Sequence, residues 1–122
     1  MNRSRSVRPG DVMVATLPSR SPEGHEQTGT RPVVVVAVPA EPLRYPVIVV
    51  VPLTTRVGRW VDANPSVYVG LRAGAGGLPV ESTALLDQVG SIDVRRIQGY
   101  LGMLDDEDSV KIIANLRSMI GS

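Results

Sequence analysis

The chain has no cysteine and no phenylalanine, and its 122 residues include a single histidine, a single tryptophan and a single lysine. Without cysteine there is no disulfide framework and no thiolate metal site, and the lone His25 leaves any metal binding to carboxylates. A metal-free protein without a cofactor is expected. Aromatic residues make up 3% of the chain, namely Trp60, Tyr45, Tyr68 and Tyr100, so few rings are on hand to stack nucleobases. No apolar stretch is long enough to span a bilayer. The basic start Met1-Asn2-Arg3-Ser4-Arg5-Ser6-Val7-Arg8 lacks the apolar run of a secretory signal. These absences predict a cytoplasmic protein with no membrane partner.

A chain of this length supports one modest core. The expected organisation is a basic, flexible arm over residues 1–8 and a single domain over residues 9–122. The net charge of +1 conceals two asymmetries. Lys111 is the only basic residue that is not arginine, and Asp105-Asp106-Glu107-Asp108 gathers four of the 12 acids. Arginine presents a planar donor fork suited to phosphate. A codon bias toward GC produces the same preference, so the arginines alone do not assign RNA binding.

Asp11 to Leu17 alternates apolar with small or polar residues after a Pro9-Gly10 turn, as a half-buried strand does. Pro18 to Thr30 is rich in turn formers and reads as a surface loop. Pro32–Val38 and Val47–Pro52 are β-branched runs expected at the buried centre of a sheet. Further strands are expected over 66–71, 82–88 and 97–101, with a flexible glycine turn over 73–77. The period then changes: Val110, Ile113, Ala114, Leu116 and Ile120 recur at helical steps after the acidic cluster, and Gly121 ends the run. About six short strands and one helix, with no βαβ alternation, predict a mostly β domain: a small antiparallel barrel with a C-terminal amphipathic helix.

The segment Gly24-His25-Glu26-Gln27-Thr28-Gly29-Thr30-Arg31-Pro32, running into Val33-Val34-Val35-Val36, sets the histidine and an arginine beside a buried strand. It resembles the G-[SH]-E-Q-x-G-x-R-P loop of the MazF/PemK family of toxin endoribonucleases. Val49-Val50-Val51-Pro52-Leu53-Thr54-Thr55, Gly77-Leu78-Pro79-Val80-Glu81-Ser82, Leu86-Asp87-Gln88-Val89-Gly90-Ser91-Ile92-Asp93 and Gly102-Met103-Leu104-Asp105-Asp106-Glu107 resemble further family motifs in the same order. The resemblance spans roughly residues 8 to 121. It implies an SH3-like, CcdB/MazF-like barrel. Three departures stand out: Met13 replaces a family tryptophan, Leu85 stands where some PemK-type members carry arginine, and Gly90 replaces a basic residue.

RNA is cut without a metal when its own 2'-hydroxyl attacks the adjacent phosphate. The protein then supplies a base, donors for the crowded phosphorane and an acid for the leaving 5'-oxygen. Arg31 suits the phosphorane because it stays charged and donates two parallel bonds; its bland alternative is a salt bridge to Glu26 or Asp87. The resemblance makes Arg31 and Thr54 the catalytic pair. It gives His25, Glu26 and Asp87 supporting acid–base or orienting roles, and Gln27, Thr28, Thr55, Arg56 and Gln88 contacts to RNA. Arg59, Arg95 and Arg96 can add grip. Trp60 is open to three readings: stacking on a base, a dimer contact, or the barrel wall.

The resemblance therefore implies the toxin of a type II toxin–antitoxin system, a homodimeric, metal-independent endoribonuclease acting on single-stranded mRNA. Its other partners would be a MazE-like antitoxin peptide and, together with that peptide, promoter DNA. Two alternatives remain at this point: a CcdB-like poison of gyrase, and a non-catalytic barrel that binds RNA or peptide.

Overall fold

Val33–Val36 and Val47–Val51 become neighbouring strands, as their β-branched side chains favour. In the computed structural model, which describes residues 7–19, 24–40, 46–56 and 58–121, β2 (Gly29–Ala37) and β3 (Val47–Thr54) pair antiparallel. Val33 lies opposite Pro52, Val34 opposite Val51 and Val35 opposite Val50. These strands lack an apolar–polar alternation because both faces of the sheet are covered. Val33 and Val35 join Met13, Ala15, Ile48, Val50 and Ile92 in one cluster. Val34 and Val36 join Val12, Val51, Leu53 and the helix residues Ile112 and Leu116 in the other.

Around this centre stand β1 (Asp11–Leu17), β4 (Tyr68–Leu71), β5 (Ser82–Leu85), β6 (Gly90–Asp93) and β7 (Ile97–Met103). The order is β4-β5-β3-β2-β1-β7, with β6 also on β3, and every pairing is antiparallel. The class is the expected one, mostly antiparallel β with one C-terminal helix. The path stops at β4 and β7 without closing into a ring.

The free edge of β3 is divided between two partners. Val47–Val50 pairs with β6, and Leu53–Thr54 pairs with β5. From Ala84 to Gly90 the chain takes six steps while β3 takes three between the facing residues, and the surplus coils into the 3-10 turn Leu86–Gln88. The strand expected over 82–88 is thereby cut at Leu85, and β6 was not anticipated. Likewise β2 starts at Gly29 rather than Pro32, because Gly29, Thr30 and Arg31 pair with Leu17, Thr16 and Ala15 whatever their side chains.

The helices differ in how visible they are in the sequence. α1 (Arg59–Ala63) is one turn, too short to show a period. α2 (Asp106–Ile120) begins where Asp105 accepts a bond from the Asp108 amide at 2.9 Å and ends at Gly121, whose φ of 95° is left-handed. Two of the three glycines expected as a flexible turn, Gly76 and Gly77, are instead closely approached: a Cβ on Gly77, at φ +78°, would lie 2.2 Å from the Leu101 carbonyl oxygen. The expected arm lies mostly outside the described residues. At its end, the Arg8 amide donates to the buried Asp11 carboxylate at 2.8 Å and Val7 packs on the second cluster, so the chain is anchored by residue 7. Among the described residues no helix is long and apolar enough to cross a membrane.

Candidate functional site

Pairing of β2 with β1 sets Arg31 opposite Ala15, and continuing the β2–β3 register by two residues sets it across from Thr54. Thr54 in turn faces Thr83, and Thr83 faces Gly70. Alternation puts all of them on the sheet face that carries Val33 and Val50. Arg31 and Thr54 line a cleft of about 260 Å³ together with Thr55 and Arg56, two of the five residues expected to contact RNA. Thr54 is 7% exposed, and its hydroxyl accepts a bond from the Arg56 amide at 3.2 Å. The hydroxyl proton remains available to an acceptor in the cleft.

Arg31 is held by the loop that precedes it. Its Nε donates to the Thr28 carbonyl at 3.0 Å, and NH1 donates to Gln27 Oε1. The Gln27 amide donates to Gln88 Oε1 at 2.6 Å, which ties loop and arginine to the 3-10 turn. Neither salt bridge of the alternative reading forms: among the described residues the Arg31 guanidinium pairs with no carboxylate. NH2 makes no bond to those residues, so one edge of the fork is unoccupied.

The carboxylates sit otherwise than the orienting role suggested. Glu26 and Asp87 line a second cleft of about 210 Å³ with Gln27, Gln88 and Pro52. Asp87 accepts a bond from the Tyr68 hydroxyl at 2.8 Å, a partner 19 positions away that no sequence motif signals. His25 is exposed and lines neither cleft. Arg95 is bound to Asp93 through Nε at 3.1 Å and NH2 at 3.0 Å, whereas Arg56 is exposed on the wall of the first cleft and Arg59 is exposed three residues further along the chain. That bond holds the Asp93 carboxyl below its ordinary value. Leu85 is 4% exposed, so no second guanidinium enters from this position. Among the described residues no group of acids and histidine is placed to hold a metal ion.

The bond to Asp87 raises the Tyr68 pKa above the ordinary tyrosine value, with smaller contributions from burial and from the carboxylate charge. A raised folded-state value means that the stabilisation is complete below the unfolded value of about 10 and is lost as pH rises through the folded one. Stability should therefore fall more steeply above pH ~10 in the wild type than in Tyr68→Phe. Urea midpoints followed between about pH 9 and pH 11 check this, and parallel slopes refute it.

The open antiparallel sheet backed by a C-terminal helix is the fold of several solved toxin structures. MazF of Deinococcus radiodurans has the same fold, with a TM-score of 0.73 at 23% identity over 93% of this chain and 96% of that one. An endoribonuclease from a mycobacterial species, solved with its cognate antitoxin, gives 0.69 at 20% identity over 95% and 96% of the two chains. The Mycobacterium tuberculosis toxin MazF-mt6 gives 0.65 at 19% identity over 93% and 96%. The chain belongs to the PemK-like, MazF-like toxin family of type II toxin–antitoxin systems, whose sequence model matches residues 8–120.

Proposed function

We propose that the chain is a metal-independent, sequence-selective endoribonuclease that cuts single-stranded RNA to 2',3'-cyclic phosphate and 5'-hydroxyl ends. The observation that carries this reading is the anchored Arg31 guanidinium with its NH2 edge unoccupied, sharing a cleft with the Thr54 hydroxyl. The 2'-oxygen attacks phosphorus, the bond from phosphorus to the 5'-oxygen breaks, and negative charge concentrates on the phosphoryl oxygens. Arg31 and Thr54 donate to those oxygens, where preorganised donors act most strongly. Glu26 lines the second cleft beside Gln27, the residue that bonds Arg31, and is exposed, so an RNA strand that runs across both clefts presents its 2'-hydroxyl proton to this carboxylate. His25 or water returns a proton to the leaving 5'-oxygen.

Thr28, Thr55, Arg56 and the paired Gln27 and Gln88 are contacts for the RNA strand. The working form is a homodimer. An acidic antitoxin segment that orders on binding would cover the same arginines and compete with RNA, and toxin and antitoxin together would bind promoter DNA. The antitoxin bound in the mycobacterial structure and the MazE–MazF complex of Deinococcus radiodurans support the antitoxin pairing. Such a toxin acts in the cytoplasm, where its RNA is.

The test is incubation of antitoxin-free protein with a long single-stranded RNA in excess EDTA, followed by mapping of cut sites and end groups. Discrete cuts with 5'-hydroxyl ends are expected. Thr54→Val removes one neutral donor and should slow cleavage about tenfold. No cleavage by folded wild type would overturn the enzymatic reading and direct attention to gyrase inhibition or non-catalytic binding.

A further inference from the structure

The face that carries Arg31 and Thr54 continues across the sheet to its β4 edge. Beyond Thr54 come Thr83, 4% exposed, and then Gly70, where a Cβ would meet no atom within 4 Å. The parallel row ends Leu85 and Tyr68, which pair directly. Tyr68 therefore stands on the same face, one row from the hydroxyls, with its own hydroxyl fixed by Asp87.

Trp60 packs on Tyr68 from α1, ring centroids 4.9 Å apart and planes at 86°. On another side its indole lies against bare backbone: a Cβ on Gly58 would come within 2.6 Å of Nε1. The indole is thus held by two contacts and yet is 38% exposed. The chain on either side of it is polar, with Arg56, Arg59, Asp62, Asn64 and Ser66 all exposed, and no residue of α1 is buried. A rigid ring in a polar, arginine-bearing setting, continuous with a row of hydroxyls, suits a nucleobase better than an apolar protein face.

We propose that Trp60, backed by Tyr68 and Gly58, is a stacking site for a base of the bound RNA adjoining the nucleotide that is cut. Gly70 leaves the sheet surface bare for the sugar and phosphate that connect the two positions. The proposal rests on the ribonuclease reading and adds a specificity-determining subsite to it. Stacking accepts any base but favours purines, whose larger π-face overlaps the indole more fully.

Trp60 is the only tryptophan in the chain, so its fluorescence reports this ring alone. The probe is a 2'-O-methyl oligonucleotide spanning a cut site mapped with the wild type, which binds but cannot be cleaved. Its binding is followed by anisotropy of a label on the RNA and, in parallel, by Trp60 emission. Saturating quenching over the same concentration range as the anisotropy change is expected. Trp60→Ala should weaken binding about tenfold to a hundredfold, and Trp60→Phe should restore most of the loss. Gly70→Leu should raise KM for cleavable RNA with little change in kcat.

Anisotropy-detected binding with unchanged emission and an unaffected Trp60→Ala would overturn the subsite while leaving the nuclease standing. Emission that follows protein concentration without RNA would assign the ring to contact between copies and overturn the subsite as well. Absence of both binding and cleavage would instead remove the ribonuclease reading on which it rests.

Discussion

Arg31→Ala is expected to lower single-turnover RNA cleavage roughly a thousandfold while leaving the thermal unfolding curve close to that of the wild type. The loss is large because the guanidinium, already held by its bonds to Thr28 and Gln27, would meet charge that develops only as the phosphorane forms. The fold should tolerate the change because Arg31 is only half buried and, among the described residues, bonds the Thr28 carbonyl and Gln27 and no carboxylate. Arg31→Lys should recover little. An ammonium keeps the charge, but one compact donor group cannot satisfy the Thr28 carbonyl and Gln27 and still offer a planar edge to phosphate. Wild-type rates in a folded Arg31→Ala protein would remove Arg31 from the chemistry.

Leu53→Ala should destabilise the domain by about 2–5 kcal/mol, a large part of the roughly 5–15 kcal/mol that holds a domain of this kind together. Leu53 is 1% exposed and belongs to the larger cluster with Val34, Val51, Ala84 and Leu86. That cluster contains no phenylalanine, and its many valines are stiff at χ1, so the neighbours collapse poorly into the cavity. The expected cost therefore lies in the upper half of the range. Urea unfolding at matched protein concentration, with an unchanged m-value, provides the measurement, and a loss under about 1 kcal/mol would contradict it. Leu53 also pairs with Ala84 beside the Thr54–Thr83 pair, so partial loss of this ladder should raise KM before the protein unfolds.

Much of the frame could be read from local signals. The acidic stretch before α2, its helical period and Gly121 mark both ends of that helix, and the valine runs mark β2 and β3. What escaped depends on partners distant in sequence. The 3-10 turn Leu86–Gln88 exists because two ladders on β3 are out of step, and the Gly77 turn exists because Leu101 crosses it. Neither condition leaves a pattern in its own segment. The site divides in the same way. Arg31 and Thr54 stood out through their motifs, but their meeting in one cleft follows from strand pairing. The chain of bonds from Gln88 through Gln27 to Arg31 links positions 61 apart and then 4 apart, and no spacing rule announces it.

The start of β2 at Gly29 bears on how such proteins diverge. Arg31 is clamped from inside a nine-residue strand and by the two residues nearest its loop side, Gln27 and Thr28. The part of the connection that precedes Gly24 can therefore gain, lose or exchange residues over generations without displacing the guanidinium or the His25 and Glu26 proposed to act beside it. If the chain cuts RNA as proposed, its descendants could change which sequences they cut while inheriting the cutting machinery intact, so selection for a new target need not pass through an inactive ancestor.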